Sequence, residues 1–113
     1  MAIISDLDVY KKAHALVLKI YKVTEKYPKD EIYGLTSQMK RAAVSINSNL
    51  LEGSARNGTL EFKHFASIAR GSAAELKYQV LVSKDLGFIT PEEFSFLDAE
   101  ITDILKMLSG LIK

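Results

Sequence analysis

The chain has 113 residues, enough for one domain built round a single buried core. Hydrophobic residues make up 48% and charged residues 26%, a folded globular composition and not a disordered one. The absence of cysteine excludes a disulfide framework and a thiolate metal site, and a net charge of +1 leaves any polyanion binding to a local basic patch.

The opening Met-Ala-Ile-Ile-Ser-Asp lacks the basic region and apolar run of a signal peptide, and no uncharged apolar stretch approaches the ~18 residues of a membrane span. The expectation is one cytoplasmic domain over residues 1–113 with no membrane partner. A first helix is predicted from about Asp6 to Lys26, capped by Ser5 or Asp6. Its lysines, Lys11, Lys12, Lys19, Lys22 and Lys26, gather with Asp8 on one side, and almost everything else is apolar. That apolar arc is wider than one core needs. The outer flank round Tyr10, Leu18 and Tyr21 is therefore expected to meet another subunit, against the simpler reading of a helix sunk between two neighbours. Pro28 ends the helix. The link Tyr27 to Gly34 is long for a helix hairpin, so a 3₁₀ turn is expected within it, with Tyr33 and Leu35 plugging the core.

A second helix begins near Asp30, Thr36 or Ser37 and runs to Ala55 or Arg56. At about 100° per residue, Gln38, Arg41, Ser45, Asn49, Glu52 and Arg56 form one polar stripe beside an apolar arc of Leu35, Met39, Ala42, Ala43, Ile46 and Leu50. Gly53 marks a close helix approach, since glycine inside a helix otherwise costs about 1 kcal/mol. Asn57-Gly58 stops the helix and Thr59 caps the next, which runs from about Leu60 to Leu86 and stops at Gly87. This third helix carries its own stripe of Glu61, Ser72, Glu75 and Gln79. Folding the two helices antiparallel at the Asn57-Gly58 turn sets Arg56 against Glu61, Glu52 near His64, Ser45 opposite Ser72, Arg41 against Glu75 and Gln38 opposite Gln79. Thr90-Pro91-Glu92-Glu93 then opens a fourth helix with a capping box and proline at its first position.

Four amphipathic helices without a strand pattern predict an all-α fold, an antiparallel up-down-up-down four-helix bundle. The ten stripe residues, Gln38 to Gln79, read as a structural polar seam: mutually paired groups that fix helix register. An active site is disfavoured, because neither Ser45 nor Ser72 has a general base; His64 falls about five turns from Ser45. Glu61-Phe-Lys-His64 offers a single Glu-x-x-His pair with no second copy, and His14 stands alone, so no metal is expected. No cofactor-binding or nucleic-acid recognition motif is present.

Leu7-Asp8-Val9-Tyr10, Tyr27-Pro28 with Glu31, and Tyr33-Gly34-Leu35-Thr36 with Gln38 form one set of signature residues. Arg41-Ala-Ala-Val-Ser45-Ile46 with Asn49 and Glu52-Gly53 form a second; Phe62 and Ala69-Arg-Gly71-Ser72 with Glu75 form a third. Together they resemble the 23S rRNA intervening-sequence proteins over nearly the whole chain. The resemblance implies a small bacterial four-helix bundle assembled into a pentameric ring, with no established enzymatic activity. It also implies kinship with the accessory proteins of diversity-generating retroelements, which bind a reverse transcriptase and nucleic acid. Repeated round such a ring, Lys11, Lys12, Lys19, Lys22 and Lys26 would make a basic belt for RNA phosphates, binding with strong salt dependence and little sequence preference. The expected partners are thus further copies of the chain, and RNA or a nucleic-acid-processing protein. The alternative is a protein adaptor whose lysines serve only solubility.

Overall fold

A computed structural model describes residues 3–113. Four helices, α1 (Asp8–Thr24), α2 (Leu35–Ala55), α3 (Thr59–Asp85) and α4 (Pro91–Ile112), make up nearly all of it, with 3₁₀ turns at Ile4–Asp6 and Lys29–Glu31.

The helix ends follow local chemistry. At α4, Thr90 Oγ1 accepts from the Glu93 N–H at 3.0 Å while Glu93 Oε1 accepts from the Thr90 N–H at 2.8 Å, the expected capping box, with Pro91 at the first position. At the end of α3 the Phe88 N–H reaches the Ser83 carbonyl and the Gly87 N–H the Lys84 carbonyl, both at 2.9 Å. That pattern needs a left-handed residue, and Gly87 supplies it at φ +78°. Gly58, at φ +99°, makes the turn before α3. Three expected starts differ. α3 begins at Thr59 itself, with Gly58 in the N-cap place and no side-chain cap, so Thr59 does not cap the helix as expected. α1 begins at Asp8, because Ser5 and Asp6 belong to the 3₁₀ turn and extended Leu7, packed against the core, follows it. α2 begins at Leu35, whose N–H donates to Glu31 Oε1 at 3.0 Å, so a carboxylate from the preceding turn does the work expected of Asp30, Thr36 or Ser37.

Cross-helix contacts fix the topology. Tyr10 with Asn47 and Tyr21 with Lys40 run in opposite senses along α1 and α2. Met39 with Ser83, Ser45 with Ser72 and Gly53 with Phe65 do the same for α2 and α3. So do Arg70 with Ser109, Lys77 with Asp98 and Lys84 with Phe94 for α3 and α4. Lys12 with Asp103, Lys19 with Phe96 and Lys26 with Glu93 close α1 on α4. Each helix is therefore antiparallel to both its neighbours, the up-down-up-down bundle that the sequence predicts.

One core fills the interior. Leu16 and Ile20 of α1, Met39, Ile46 and Leu50 of α2, Leu76 and Val80 of α3, and Leu97, Ile101, Ile104 and Leu108 of α4 are buried there. α2 and α3 approach tightly at Gly53, where a β-carbon would lie 2.8 Å from Phe65 Cβ, as the sequence reading of Gly53 requires. Tyr27 is buried against Phe88, ring centres 5.2 Å apart, and plugs the α1–α2 end of the core. Tyr33, expected in that role, is 97% exposed; Leu35 does pack on the core. Burial raises the pKa of the Tyr27 phenol, whose hydroxyl has no hydrogen-bond partner among the described residues.

Candidate functional site: a groove over the second helix

The α2–α3 register places Ser45 and Ser72 face to face, Oγ to Oγ at 2.8 Å. Asn49 Nδ2 donates to both the carbonyl (2.8 Å) and the Oγ (2.9 Å) of Ser45. Ser45 Oγ thus accepts from Asn49, and in its bond with Ser72 either hydroxyl can be the donor. No imidazole or carboxylate hydrogen-bonds either hydroxyl among the described residues, so nothing in this trio withdraws a proton to make a nucleophile.

The ends of the seam part from expectation. Arg56 pairs with Glu52 one turn back on its own helix, at 3.2 Å, and stacks over Phe65 instead of reaching Glu61. An i, i+4 carboxylate is nearer than one across the turn. Arg41 and Glu75 face each other in sequence register, but both are exposed and form no ion pair with each other. Gln38, Glu52, Arg56 and Glu61 are exposed too, Ser45, Asn49 and Ser72 are half-buried, and only Gln79 is buried, its Oε1 unpartnered among the described residues. The paired seam is therefore short, Ser45, Asn49 and Ser72, with charged groups at the surface on either side. His64 makes an edge-to-face contact with Phe65. Among the described residues, no three His, Asp or Glu side chains are grouped to hold a metal ion.

Arg41, Ser45, Ser72 and Glu75 instead form part of an open groove of about 1140 Å³ that wraps over α2. Its other wall is Tyr21 of α1 with Ile32 and Tyr33 of the connecting loop, and Lys40 and Val44 of α2 lie between. Lys40 Nζ sits 4.7 Å from the centre of the Tyr21 ring. Tyr33, Val44 and Ser48 are not site residues in the sequence reading, and Lys40 enters it only as a candidate addition to the basic belt of the first helix. The signal was the outward spacing Ser37, Arg41, Val44, Ser48, Leu51, a second stripe at alternating steps of four and three.

The α1 lysines do share one side of the helix, but most have partners. Lys12 Nζ lies 3.0 Å from Glu100 and 3.5 Å from Asp103; its hydrogen bond to Glu100 raises its pKa. Lys26 binds both oxygens of Glu93 at 2.6 Å, which lowers the pKa of that carboxyl. Lys22 lies 3.8 Å from Glu25, and Lys19 sits over the Phe96 ring. Lys11 is exposed, with no ion pair among the described residues. On α3, Lys77 is likewise tied, to Asp98 at 2.7 Å and Thr102 at 2.8 Å.

The 23S rRNA-intervening sequence protein family matches residues 5–110. The chain belongs to that family. A crystal structure of an S23 ribosomal protein family member of unknown function from Bacteroides thetaiotaomicron superimposes with a TM-score of 0.83 at 24% identity, covering 93% of this chain and 98% of that one. At that identity the likeness establishes the shared fold. No curated protein matches. No helix among the described residues is long and apolar enough to cross a membrane.

Proposed function

We propose that this 23S rRNA-intervening sequence protein is a non-enzymatic helical scaffold that works as an assembly of its own copies. One observation carries the reading: large apolar side chains stand in solvent beside the groove while the core is already complete without them. Leu18 is 60% exposed, Tyr21 45% and Ile32 51%, next to the wholly exposed Tyr33. Aromatic and aliphatic groups gathered round one depression are what a protein interface presents. The flank of α1 expected to meet another subunit, Leu18 with Tyr21, is among them. The family resemblance sets the expected number of copies at five. In the adaptor alternative the same rim holds a different protein. Native mass spectrometry of the purified chain distinguishes them: a homogeneous multiple of the single-chain mass supports self-assembly, and a single chain joined to one foreign protein supports the adaptor.

A nucleic-acid role of this scaffold rests on Lys11 and Lys19, the α1 lysines without a carboxylate partner, with exposed Lys22 beside them. Lys19→Glu combined with Lys22→Glu should then weaken RNA binding with the fold intact, as read by circular dichroism and by filter binding across a salt series. Binding that ignores both the substitutions and the salt removes the role.

A further inference from the structure

The bundle finishes its two ends differently. Where α1 and α3 stop and α2 and α4 start, Tyr27, Phe88 and Ile89 plug the core, with the two rings 5.2 Å apart. At the opposite end a cavity of about 360 Å³ opens instead. Four segments meet round it: Ile4 and Leu7 ahead of α1, Gly53 near the end of α2, Phe62 in the first turn of α3 and Leu111 at the end of α4. The four large side chains are half-buried and packed on the core, yet the space between them stays open. Gly53 adds no side chain to fill it, because Phe65 Cβ and the Phe62 ring crowd the place of its β-carbon.

The polar groups on the wall make few demands. Ser54 Oγ donates to the Leu51 carbonyl at 2.8 Å. Arg56 lies 3.2 Å from Glu52, and its guanidinium stacks over the Phe65 ring. Thr59 stands exposed at the mouth. No carboxylate and no lysine is among the described lining residues, in contrast to the groove over α2 with its Lys40, Arg41 and Glu75. A charged guest would give up hydration here without gaining a free ion partner, whereas an apolar guest has none to give up. The volume suits a small molecule, since apolar cavities of about 150 Å³ already hold a benzene ring and ligand sites begin at about 300 Å³.

We propose that this cavity binds a small uncharged apolar molecule of aromatic-ring size. The guest would complete this end of the core as Tyr27 and Phe88 complete the other. Neither the groove over α2 nor the α1 lysines take part, so the site goes beyond the scaffold reading.

Toluene is the probe, with benzoate and benzylamine as charged molecules built on the same ring. Titrated into the isotope-labelled full chain, toluene should shift the methyl resonances of Ile4, Leu7 and Leu111 saturably and leave those of Val23 and Ile89, at the plugged end, in place. Both charged molecules should bind about ten-fold more weakly or worse. Leu111→Trp, in the last turn of α4, should fill the cavity and abolish the shifts, with folding checked by circular dichroism. Ser54→Phe, from an exposed position on the wall, replaces it should the tryptophan variant not fold. The proposal is overturned if toluene gives no saturable shifts, if benzoate or benzylamine binds as tightly as toluene, or if a folded filled variant still binds. It also falls if the free chain shows nuclear Overhauser contacts from the Met1 methyl to Phe62, which would make the chain's own start the occupant.

Discussion

Gly53→Ala is a direct probe of the α2–α3 packing. The new methyl would lie 2.8 Å from Phe65 Cβ and 3.4 Å from both a ring carbon and the carbonyl oxygen of Phe62. Phe65 Cβ is bonded to the α3 backbone and cannot swing aside as a side-chain tip can. Relief requires α3 to move from α2 near the Ser45–Ser72 hydrogen bond, two turns away on α2. Overpacking of this kind costs about 1–3 kcal/mol. Alanine offsets about 1 kcal/mol of that through its higher helix propensity. The net loss should be about 1 kcal/mol, a fall in Tm of roughly 4 °C for a domain of this size. Gly110→Ala in α4 is the control: its new methyl meets nothing within 4 Å, so only the propensity acts, and stability should rise by up to about 1 kcal/mol. Thermal and urea unfolding of both variants, at one protein concentration because assembly couples to stability, gives the comparison. The reasoning fails if Gly53→Ala stabilises the chain as much as Gly110→Ala does.

Other perturbations follow from the side-chain geometry. Glu93→Gln can still accept from the Thr90 N–H but loses the Lys26 ion pair, so it should cost about 0.5 kcal/mol at neutral pH. Lys26 and the Thr90 N–H lower the folded-state pKa of Glu93, so the stability it contributes is complete above the ordinary value of 4.5 and is lost as pH falls through the lowered one. The variant and the parent should therefore converge in acid-titrated unfolding; a difference constant with pH would contradict this. Asn47→Ala removes the 2.9 Å hydrogen bond from Nδ2 to the Tyr10 carbonyl. Because the buried Oδ1 has no partner among the described residues, the loss should be only about 1 kcal/mol in urea unfolding, and an unshifted midpoint would mean that this link between α1 and α2 contributes nothing. Arg41→Ala, at an exposed position without an ion pair to Glu75, should leave unfolding stability within about 0.5 kcal/mol. A loss of about 3–5 kcal/mol would instead indicate a buried pair.

Where local chemistry decides the structure, it was legible in the sequence. Thr90, Pro91 and Glu93 define a helix start without help from the rest of the chain, and Gly87 a stop. The α2–α3 register was readable because residues 56–58 leave too short a link for anything but antiparallel neighbours, so Ser45 had to oppose Ser72. Contacts across helices joined by no short turn were not legible. The carboxylates that neutralise Lys12 and Lys26 lie on α4, and nothing near α1 in the sequence announces them. Long side chains at the surface also choose the nearest partner, as Arg56 does with Glu52, so a correct register did not give correct ion pairs. The sequence places aromatic Tyr33 with Leu35 at the core, yet the buried Tyr27 closes that end and Tyr33 stands in solvent. The groove was overlooked for a related reason: a helix reading assigns one buried face, and the outward stripe of α2 has meaning only once the bundle has left it uncovered.

Self-assembly is tested most directly by sedimentation equilibrium of the purified wild-type chain over a wide concentration range. The predicted result is one species at a fixed multiple of 12.6 kDa, five-fold for the ring that the family resemblance implies. A single-chain mass at every concentration would contradict the account and would leave Leu18, Tyr21, Ile32 and Tyr33 as an apolar surface on a monomer.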